Sequence, residues 1–483
     1  RKAALEAEVV VVNHHLFFAD VWLKDEGAGE LLPASNAVIF DEAHQLPATA
    51  SLFFGETITT GMLVDLCRDT RVEASVSAPD FPDLPKAAGE LETAAREVRL
   101  GLGLNPLRLP AARALERREF LAAVEAMTAR LARLDALLES QAERSDELAK
   151  LHGRCREAAD RLEKWLTPMP EYAATGIVRW LEAATHSVLF HATPLNAGEL
   201  FARQIAGDPR AWIFTSATLS VRGDFSHYLH EIGLSGLEEG AATAVWDSPF
   251  DYPEQAMLYV PDAMPDPNTP GYTGAVVEAA WPLLEASGGR AFLLFTSLRA
   301  MNEAHRILTA RMAESGIRYP ILLQGERSRS ELLDEFRALG NAILLGSQSF
   351  WEGVDVAGEA LSLVVIDRLP FQPPDDPVLA ARVDALKRAG KNPFHDYQLP
   401  HAVISLKQGA GRLIRRETDH GVLMICDPRL VEKPYGRRIW QALPPMRRSR
   451  VRVEATAFLG RPGGFTADLP ASPAGSQASP DVS

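Results

Sequence analysis

The sequence predicts an α/β fold built on parallel sheets. Short apolar runs that end in polar or glycine residues alternate with stretches of helical spacing, which is the pattern of strands joined by crossover helices. A chain of 483 residues is also too long for one ordinary core, so we expect several domains. The runs that predict strands are Val9–Val12, Ala37–Phe40, Ala211–Phe214, Ala291–Phe295, Ala342–Leu345, Leu361–Ile366 and Val422–Cys426.

The domain organisation follows from where this strand pattern stops. It disappears between about residues 61 and 171, where Leu148, Leu151, Cys155, Ala158, Leu162 and Trp165 have the spacing of a helix–helix seam. Prolines from Pro249 to Pro270 indicate a linker. We therefore predict a first α/β lobe at 1–60 and 172–255, a helical insertion at 61–171, a second lobe at 256–459 and a disordered tail at 460–483.

Composition limits the classes of protein that fit. Hydrophobic residues make up 46% and charged residues 24%, as in globular proteins, and no apolar run approaches a membrane span, so we expect a cytoplasmic protein. A net charge of −14 argues against a general basic coat for nucleic acid, although arginines cluster around Trp440, as either a solvated face or a local site. Three widely separated cysteines indicate reduced thiols rather than a disulfide framework.

An acidic pair follows one predicted strand. Asp41 and Glu42 come directly after Val38–Phe40 and precede His44, and ligands of open α/β sheets collect at such strand ends. ATP hydrolysis needs two carboxylates, one to hold hydrated Mg²⁺ and one to orient and deprotonate water. Asp41 would hold the metal through water and Glu42 would be the base, although an acidic pair can also cap a helix.

Small hydroxyl residues follow another strand. Ser216 and Thr218 lie just after Trp212–Phe214. They could bond a neighbouring histidine or carboxylate without filling a cleft, and they could equally cap a helix.

Three polar residues late in the chain have helical spacing. Gln408, Arg412 and Arg415 would share one face of a helix, with Gly409 beside them. Because glycine inside a helix costs about 1 kcal/mol relative to alanine, we expect another group to approach closely there. The arginines could stabilise charge on a γ-phosphate and Gln408 could position it, or the face could simply be solvated.

Two further segments indicate ligand contacts. Phe350 and Trp351 could stack on nucleic-acid bases or pack in the core. Gly353 would permit close backbone approach, and Asp355 could contact the nucleotide sugar or the Arg412 region. Thr296 and Ser297 follow a strand and could bind phosphates of a nucleic-acid backbone.

Taken in order, these segments resemble the motifs of superfamily 2 helicases. Three details resemble the iron–sulfur XPD/DinG group within it: Val11–Leu16 before the acidic pair, the helical insertion, and the wording of Phe350–Asp355. The resemblance implies two RecA-like lobes with an arch-like insertion, ATP and Mg²⁺ as cofactors, and a 4Fe–4S cluster. It also implies 5′ to 3′ movement on single-stranded DNA in repair or replication.

The sequence departs from this group in two ways. It contains no Gly-x-x-x-x-Gly-Lys-Ser/Thr loop to cradle phosphates, and its three cysteines cannot supply the four cluster ligands. We expect both elements to precede Arg1 in a longer protein, and we expect the present residues alone not to hydrolyse ATP.

The leading hypothesis is an ATP-dependent DNA helicase, monomeric and nucleoid-associated, whose partners are single-stranded or forked DNA and repair or replication proteins. A non-catalytic nucleic-acid-binding or scaffold protein is the alternative that the missing loop permits. A double-strand translocase or an RNA helicase would use the same motor.

Overall fold

The computed structural model describes residues 4, 6–25, 31–103, 107–167, 176–206, 210–236, 240–347, 350–351 and 360–460. Residues 461–483 of the predicted tail at 460–483, and the candidate residues Gly353 and Asp355, lie outside these ranges.

The strands form three sheets among the described residues. They are β1 (Ala37–Phe40), β2 (Glu56–Thr59), β3 (Leu107–Pro110), β4 (Ile177–Ala183), β5 (Val188–Pro194), β6 (Ala211–Phe214), β7 (Ala256–Tyr259), β8 (Ala291–Leu294), β9 (Ile321–Leu323), β10 (Ile343–Gly346), β11 (Leu363–Ile366), β12 (Gly421–Ile425) and β13 (Arg447–Ser449).

The helices separate most of these strands, as the α/β pattern predicts. They are α1 (His14–Asp25), α2 (Leu46–Phe53), α3 (Thr60–Ser77), α4 (Asp83–Leu100), α5 (Ala111–Leu115), α6 (Arg118–Gln141), α7 (Asp146–Leu166), α8 (Ala197–Ala206), α9 (Ser226–Glu231), α10 (Tyr252–Gln255), α11 (Tyr272–Ala286), α12 (Leu298–Ser315), α13 (Arg329–Leu339), α14 (Pro377–Arg388), α15 (Leu399–Ala410), α16 (Arg429–Glu432), α17 (Gly436–Ala442) and α18 (Arg452–Leu459). No helix of the described ranges is long and apolar enough to span a membrane.

The first sheet pairs β1 with β6 in parallel, from Ala37 opposite Ala211 to Phe40 opposite Phe214. An aromatic core lies on one face, where Phe40 stacks at 5.4 Å from Phe214 and packs edge-on against Phe17. Offset and edge-to-face ring pairs add to the free energy gained by burying apolar area. The aromatic residues of this short sheet therefore hold the polar residues that follow β1 and β6 next to each other.

The prediction of a buried strand at Val9–Val12 is wrong. This segment is irregular, and the side chains of Val9 and Val11 are 79% and 92% exposed. The described part of the first sheet contains only β1 and β6, so the segment has no ladder partner there. Without such a partner, an apolar run does not hold a strand conformation.

The insertion is mostly helical, as predicted, but it is built on a sheet. Helices α3, α4, α6 and α7 share a core in which Leu148, Leu151, Cys155, Leu162 and Trp165 are buried. Strands β2, β5, β4 and β3 form an antiparallel sheet in that order. The prediction that residues 61–171 lack a strand is therefore wrong for Leu107–Pro110, which is too short for its pattern to be seen without its partner β4.

The largest of the three described sheets has seven parallel strands in the order β13, β7, β12, β11, β8, β10, β9. Residues of β8, β10, β11 and β12 are buried on both faces, which is why these strands read as continuous apolar runs. Helix α11 packs its buried face, including Val276, Ala280 and Leu284, in the same core. The polar residues after β8, β11 and β12 consequently meet at one edge of this sheet.

The chain divides into two compact units, Arg1–Val245 with Phe371–Ile404, and Trp246–Pro370 with Ser405–Ser483. The predicted second lobe at 256–459 therefore differs at residues 371–404, which belong with the first unit. Helix α14 explains the difference, because Asp376 lies 3.4 Å from Arg108 of β3, and Arg382 pairs at 2.8 Å with Glu231. Such long-range ion pairs leave no periodic signal in a sequence.

Candidate functional site

The carboxyl edge of β1 and β6 brings two predicted motifs together. The Ala43 amide donates to the Thr215 carbonyl at 3.0 Å, which extends the strand pairing past both strand ends. Glu42 directly precedes Ala43, and its backbone lies in the left-handed region, with φ 49°. A residue with a Cβ is uncommon in this conformation, and such outliers concentrate at functional sites. The backbone therefore turns sharply at the second carboxylate of the pair.

Ser216 connects the side chains at this edge. His44 Nδ1 lies 2.9 Å from Ser216 Oγ, and Ser216 Oγ lies 3.3 Å from Glu42 Oε2. Because a carboxylate only accepts, the Ser216 hydroxyl donates to Glu42 and the imidazole N–H donates to Ser216. The hydrogen bond expected between the hydroxyl residues and a histidine or carboxylate is thus present. It orients the Glu42 carboxylate, whose side chain is 58% exposed.

Asp41 is held differently. Its Oδ1 accepts from the Thr215 hydroxyl at 3.1 Å and from the Glu42 amide at 3.0 Å. Among the described residues nothing donates to Oδ2, and the residue is exposed. His14 Nε2 donates to the Asp41 carbonyl at 2.9 Å, and burial lowers the pKa of His14. Asp41 therefore presents a fixed carboxylate with one oxygen available to a cation or its water.

The second ring nitrogen of His44 does not take part in this network. Its side chain is 8% exposed, and Nε2 is buried without a hydrogen-bond partner in the described part of the chain. A buried polar atom without a partner costs about 1–3 kcal/mol. Thr218 is buried nearby and lies 3.3 Å from Ser216.

Gln408, Arg412 and Arg415 do not lie on one helical face as predicted. Helix α15 ends at Ala410, and the Arg412 and Leu413 amides donate to carbonyls three residues back. Glycines on both sides of Ala410 weaken the helix at this point. Gln408 and Arg412 are buried, whereas Arg415 is exposed and its amide donates to Asp419. Gln408 Nε2 has no hydrogen-bond partner among the described residues.

The close approach predicted at Gly409 is present. A Cβ at this position would lie 3.1 Å from Trp351 Cε3 and 3.2 Å from Ile366 Cδ1. Arg412 Nε donates to the Trp351 carbonyl at 2.8 Å. Trp351 therefore fixes both the end of α15 and the arginine that follows it.

Phe350 and Trp351 are core residues in this structure, with 2% and 1% of their surface exposed. The Arg329 guanidinium covers the Phe350 ring at 5.5 Å, and Gly346 packs against the same ring. Because a base must reach a ring face in order to stack, the stacking alternative does not fit, and the packing alternative does.

Thr296 and Ser297 begin helix α12. Ser297 is its N-cap and accepts from the Ala300 amide. Thr296 donates to Asp367 from its amide, at 3.0 Å, and from its hydroxyl, at 3.4 Å. Sequence analysis missed Asp367 and the adjacent Arg368, although they directly follow β11 and the strand-end rule that selected Thr296 would have selected them.

The three cysteines do not fit an iron–sulfur cluster. All are buried, and burial raises the pKa of the Cys67 and Cys155 thiols to about 12 and that of Cys426 well above its usual range. Cluster ligation needs four accessible thiolates close together. No group of metal-binding side chains is found among the residues that the structure describes.

Parallel-sheet units with an acidic pair after one strand, and a Gln–Arg segment beside another sheet, define the class of superfamily 2 helicase motors. A helicase C-terminal domain model matches residues 280–446. The ATP-dependent DNA helicase YoaA of Escherichia coli K12 is 42% identical over 96% of this chain and 71% of its own length. The YoaA protein of Haemophilus influenzae is 40% identical over 95% and 70%.

The chain belongs to the YoaA/DinG family of XPD-type superfamily 2 helicases. The DinG protein of Bacillus subtilis, named as a 3′–5′ exonuclease, is 28% identical over 92% of this chain and 52% of its own. A solved XPD helicase shares the fold, with a TM-score of 0.56, 15% identity, and coverage of 93% of this chain and 74% of the other.

Proposed function

We propose that the protein is an ATP-dependent DNA helicase that moves 5′ to 3′ along single-stranded DNA. The observation that carries the proposal is the hydrogen-bonded network of Glu42, Ser216 and His44 at the carboxyl edge of two parallel strands, beside a fixed Asp41. The names of the YoaA relatives, which identify them as ATP-dependent DNA helicases, support the same reading.

Asp41 is the proposed Mg²⁺ residue. Its free Oδ2 can accept from metal-bound water while Thr215 holds Oδ1 in place. Bound Mg²⁺ would neutralise charge on the β- and γ-phosphates of ATP, and it prefers few protein ligands with several waters. The arrangement around Asp41 suits this outer-sphere role.

Glu42 is the proposed base. An exposed carboxylate that accepts from Ser216 is restrained in direction but remains open to water. A base must lie within hydrogen-bond reach of the proton it takes, so orientation by Ser216 and His44 favours catalysis. His44, Ser216 and Thr218 are proposed to line the nucleotide site and position this carboxylate.

Gln408, Arg412 and Arg415 are proposed to act on the γ-phosphate. The bond from Arg412 Nε to the Trp351 carbonyl restricts the arginine side chain, which reduces the entropy lost when phosphate binds. Arginine beside a γ-phosphate stabilises the charge that develops there. Gly353 and Asp355 are proposed nucleotide contacts of the same unit.

For the nucleic acid we propose single-stranded or forked DNA, held through phosphates near Thr296 and Ser297, in repair or replication. A 4Fe–4S cluster in the full-length protein would need ligands other than Cys67, Cys155 and Cys426.

The test is Glu42→Gln in the full-length natural protein. Glutamine keeps the size and the bond from Ser216 but cannot take a proton, so DNA-stimulated ATP turnover should fall about 100-fold or more. Binding of a labelled single-stranded oligonucleotide should be unchanged. Phosphate release and fluorescence anisotropy measure the two properties.

The control is Glu314→Gln, which changes an exposed glutamate of α12 in the same chemical way. It should leave turnover intact. Undiminished turnover in Glu42→Gln would refute the proposed base, and wild-type protein that binds DNA without hydrolysing ATP would favour a non-catalytic binding protein.

A further inference from the structure

A polar cluster at the carboxyl edge of the seven-stranded sheet has no role in the proposed nucleotide site. Asp367 and Arg368 follow β11, and Asp427 follows β12. Tyr272, at the start of α11, donates its hydroxyl to the carbonyls of Asp367 and Cys426. Three elements of one unit thus converge where ligands of parallel sheets bind.

Asp367 organises this edge. Its side chain is 3% exposed, and Oδ1 accepts from the amides of Thr296 and Arg368 at 3.0 Å and 2.7 Å. Burial raises its pKa to about 6 against the opposing effect of Arg368. A carboxylate this deeply buried is costly unless it holds several donors in place.

Asp427 is fully occupied by other groups. It accepts from the Leu369 amide at 2.8 Å and pairs with Arg429 Nη2 at 2.6 Å. Its charge is therefore already balanced by Arg429, and among the described residues the ion-pair partner of Arg368 is Asp367.

Arg368 is anchored at one end only. Its Nε lies 3.3 Å from Asp367 Oδ2, and its guanidinium lies over the Tyr272 ring at 5.0 Å. No described residue accepts a hydrogen bond from its two terminal nitrogens, and these are not among the buried atoms that lack a partner. The side chain is 26% exposed. The ion pair with Asp367 and the Tyr272 ring therefore restrain the guanidinium, although Nε is buried without a hydrogen bond to any described residue, and the outer donors remain accessible.

We propose that Arg368 binds a backbone phosphate of single-stranded DNA, with Asp367 as the positioning residue that holds Arg368 and Thr296 together. The proposal rests on the proposed function and deepens it. Two outer N–H groups of a planar fork match two phosphate oxygens, and such a contact carries no sequence preference.

The structure also divides the roles of the two hydroxyl residues. The Thr296 hydroxyl proton is used on Asp367, so Thr296 is a structural link. Among the described residues Ser297 only accepts, from the Ala300 amide, so its own proton remains available. Arg368 and Ser297, rather than Thr296, are the groups that can donate to phosphate.

The experiment measures binding of a fluorescein-labelled oligothymidylate to full-length protein without nucleotide over a range of NaCl concentrations. Each phosphate contact on single strands contributes about 0.7 to the slope of log affinity against log salt. Arg368→Ala should lower that slope by about 0.7 and weaken low-salt binding by about tenfold. Arg368→Lys should keep the slope and bind with intermediate affinity.

Arg306→Ala is the matched control, because Arg306 is an exposed arginine within α12 of the same unit. It should change neither value. If Arg368→Ala does not fold, Arg368→Gln replaces it in the experiment and should lower the slope by the same amount.

An unchanged slope in the Arg368 variants would overturn the inference, even if affinity fell, because a purely structural role alters affinity without altering counterion release. Wild-type protein that fails to bind the oligonucleotide would instead refute the proposed function.

Discussion

Single hydrogen bonds determine the candidate chemistry at the scale of the residue. Ser216 donates to Glu42 and accepts from His44, so one hydroxyl links two motifs 172 positions apart in the chain. Asp367 links the ends of β8 and β11 in a similar way, through Thr296 and Arg368. Both linking groups follow strands, where the backbone leaves the sheet and side chains can meet.

Asp367 should give the protein a pH-dependent stability. A carboxyl whose folded pKa is raised from 3.8 to about 6 binds its proton more tightly when folded. Its contribution is therefore present below pH 3.8 and is lost as the pH rises to about 6. The groups around it are Arg368, Tyr272, Cys426 and Asp427.

Asp367→Asn should remove this decline, which amounts to about 3 kcal/mol at most between pH 4 and 6.5. Asparagine keeps an acceptor for the Thr296 amide but does not titrate. Urea unfolding at several pH values, compared between wild type and variant, measures the difference. Parallel curves for the two proteins would contradict a raised pKa.

Helix ends position the second group of candidate residues at the scale of the element. Helix α15 stops at Ala410, so Gln408 lies in its last turn while Arg412 lies in the turn beyond. Trp351 packs on Gly409 and accepts from Arg412. The Trp351 indole therefore packs on the last turn of α15, and the Trp351 carbonyl holds the arginine that follows the helix.

Gly409→Ala should destabilise the protein. The new methyl group would meet Trp351 and Ile366 at 3.1–3.2 Å, and overpacking costs about 1–3 kcal/mol. This exceeds the gain of about 1 kcal/mol from alanine's helix propensity. Scanning calorimetry should show a lower melting temperature.

Gly153→Ala is the opposite case. Gly153 lies inside α7, is exposed, and would place its Cβ in open space. The same substitution should therefore leave the melting temperature unchanged or raise it. If the Gly409→Ala protein melts at or above the melting temperature of the wild type, Trp351 moves aside without loss of stability, and the prediction is wrong.

At the scale of the whole molecule, each unit has its own core, and each cysteine lies inside one. Cys67 and Cys155 belong to the core of the insertion, and Cys426 to the core of the seven-stranded sheet. Such thiols pack as small apolar groups.

The native thiols should resist alkylation. At pH 8 iodoacetamide should leave Cys67, Cys155 and Cys426 unmodified, because burial excludes the reagent and raises each thiol pKa. After unfolding in guanidinium all three should react, as peptide mapping by mass spectrometry would show. Rapid labelling of any of them in the native protein would mean that its core opens.

The sequence by itself determined the α/β class, most strands of the parallel sheets, and the polar residues that follow them. This was possible because a strand buried on both faces reads as an apolar run, and because topology places the ends of parallel strands at one edge. That rule selected Asp41, Glu42, Ser216 and Thr218, whereas their hydrogen bonding depends on β1 lying beside β6, which the structure shows.

Only the tertiary structure decided which aromatic residues are buried, where α15 ends, and to which unit residues 371–404 belong. It also showed that Val9–Val12 forms no strand and that β3 lies within the insertion. Each of these outcomes depends on a partner distant in sequence, such as Trp351 for Gly409, β4 for β3, or Glu231 for Arg382. Local periodicity carries no information about such partners, because their contact energies arise only once the chain has folded.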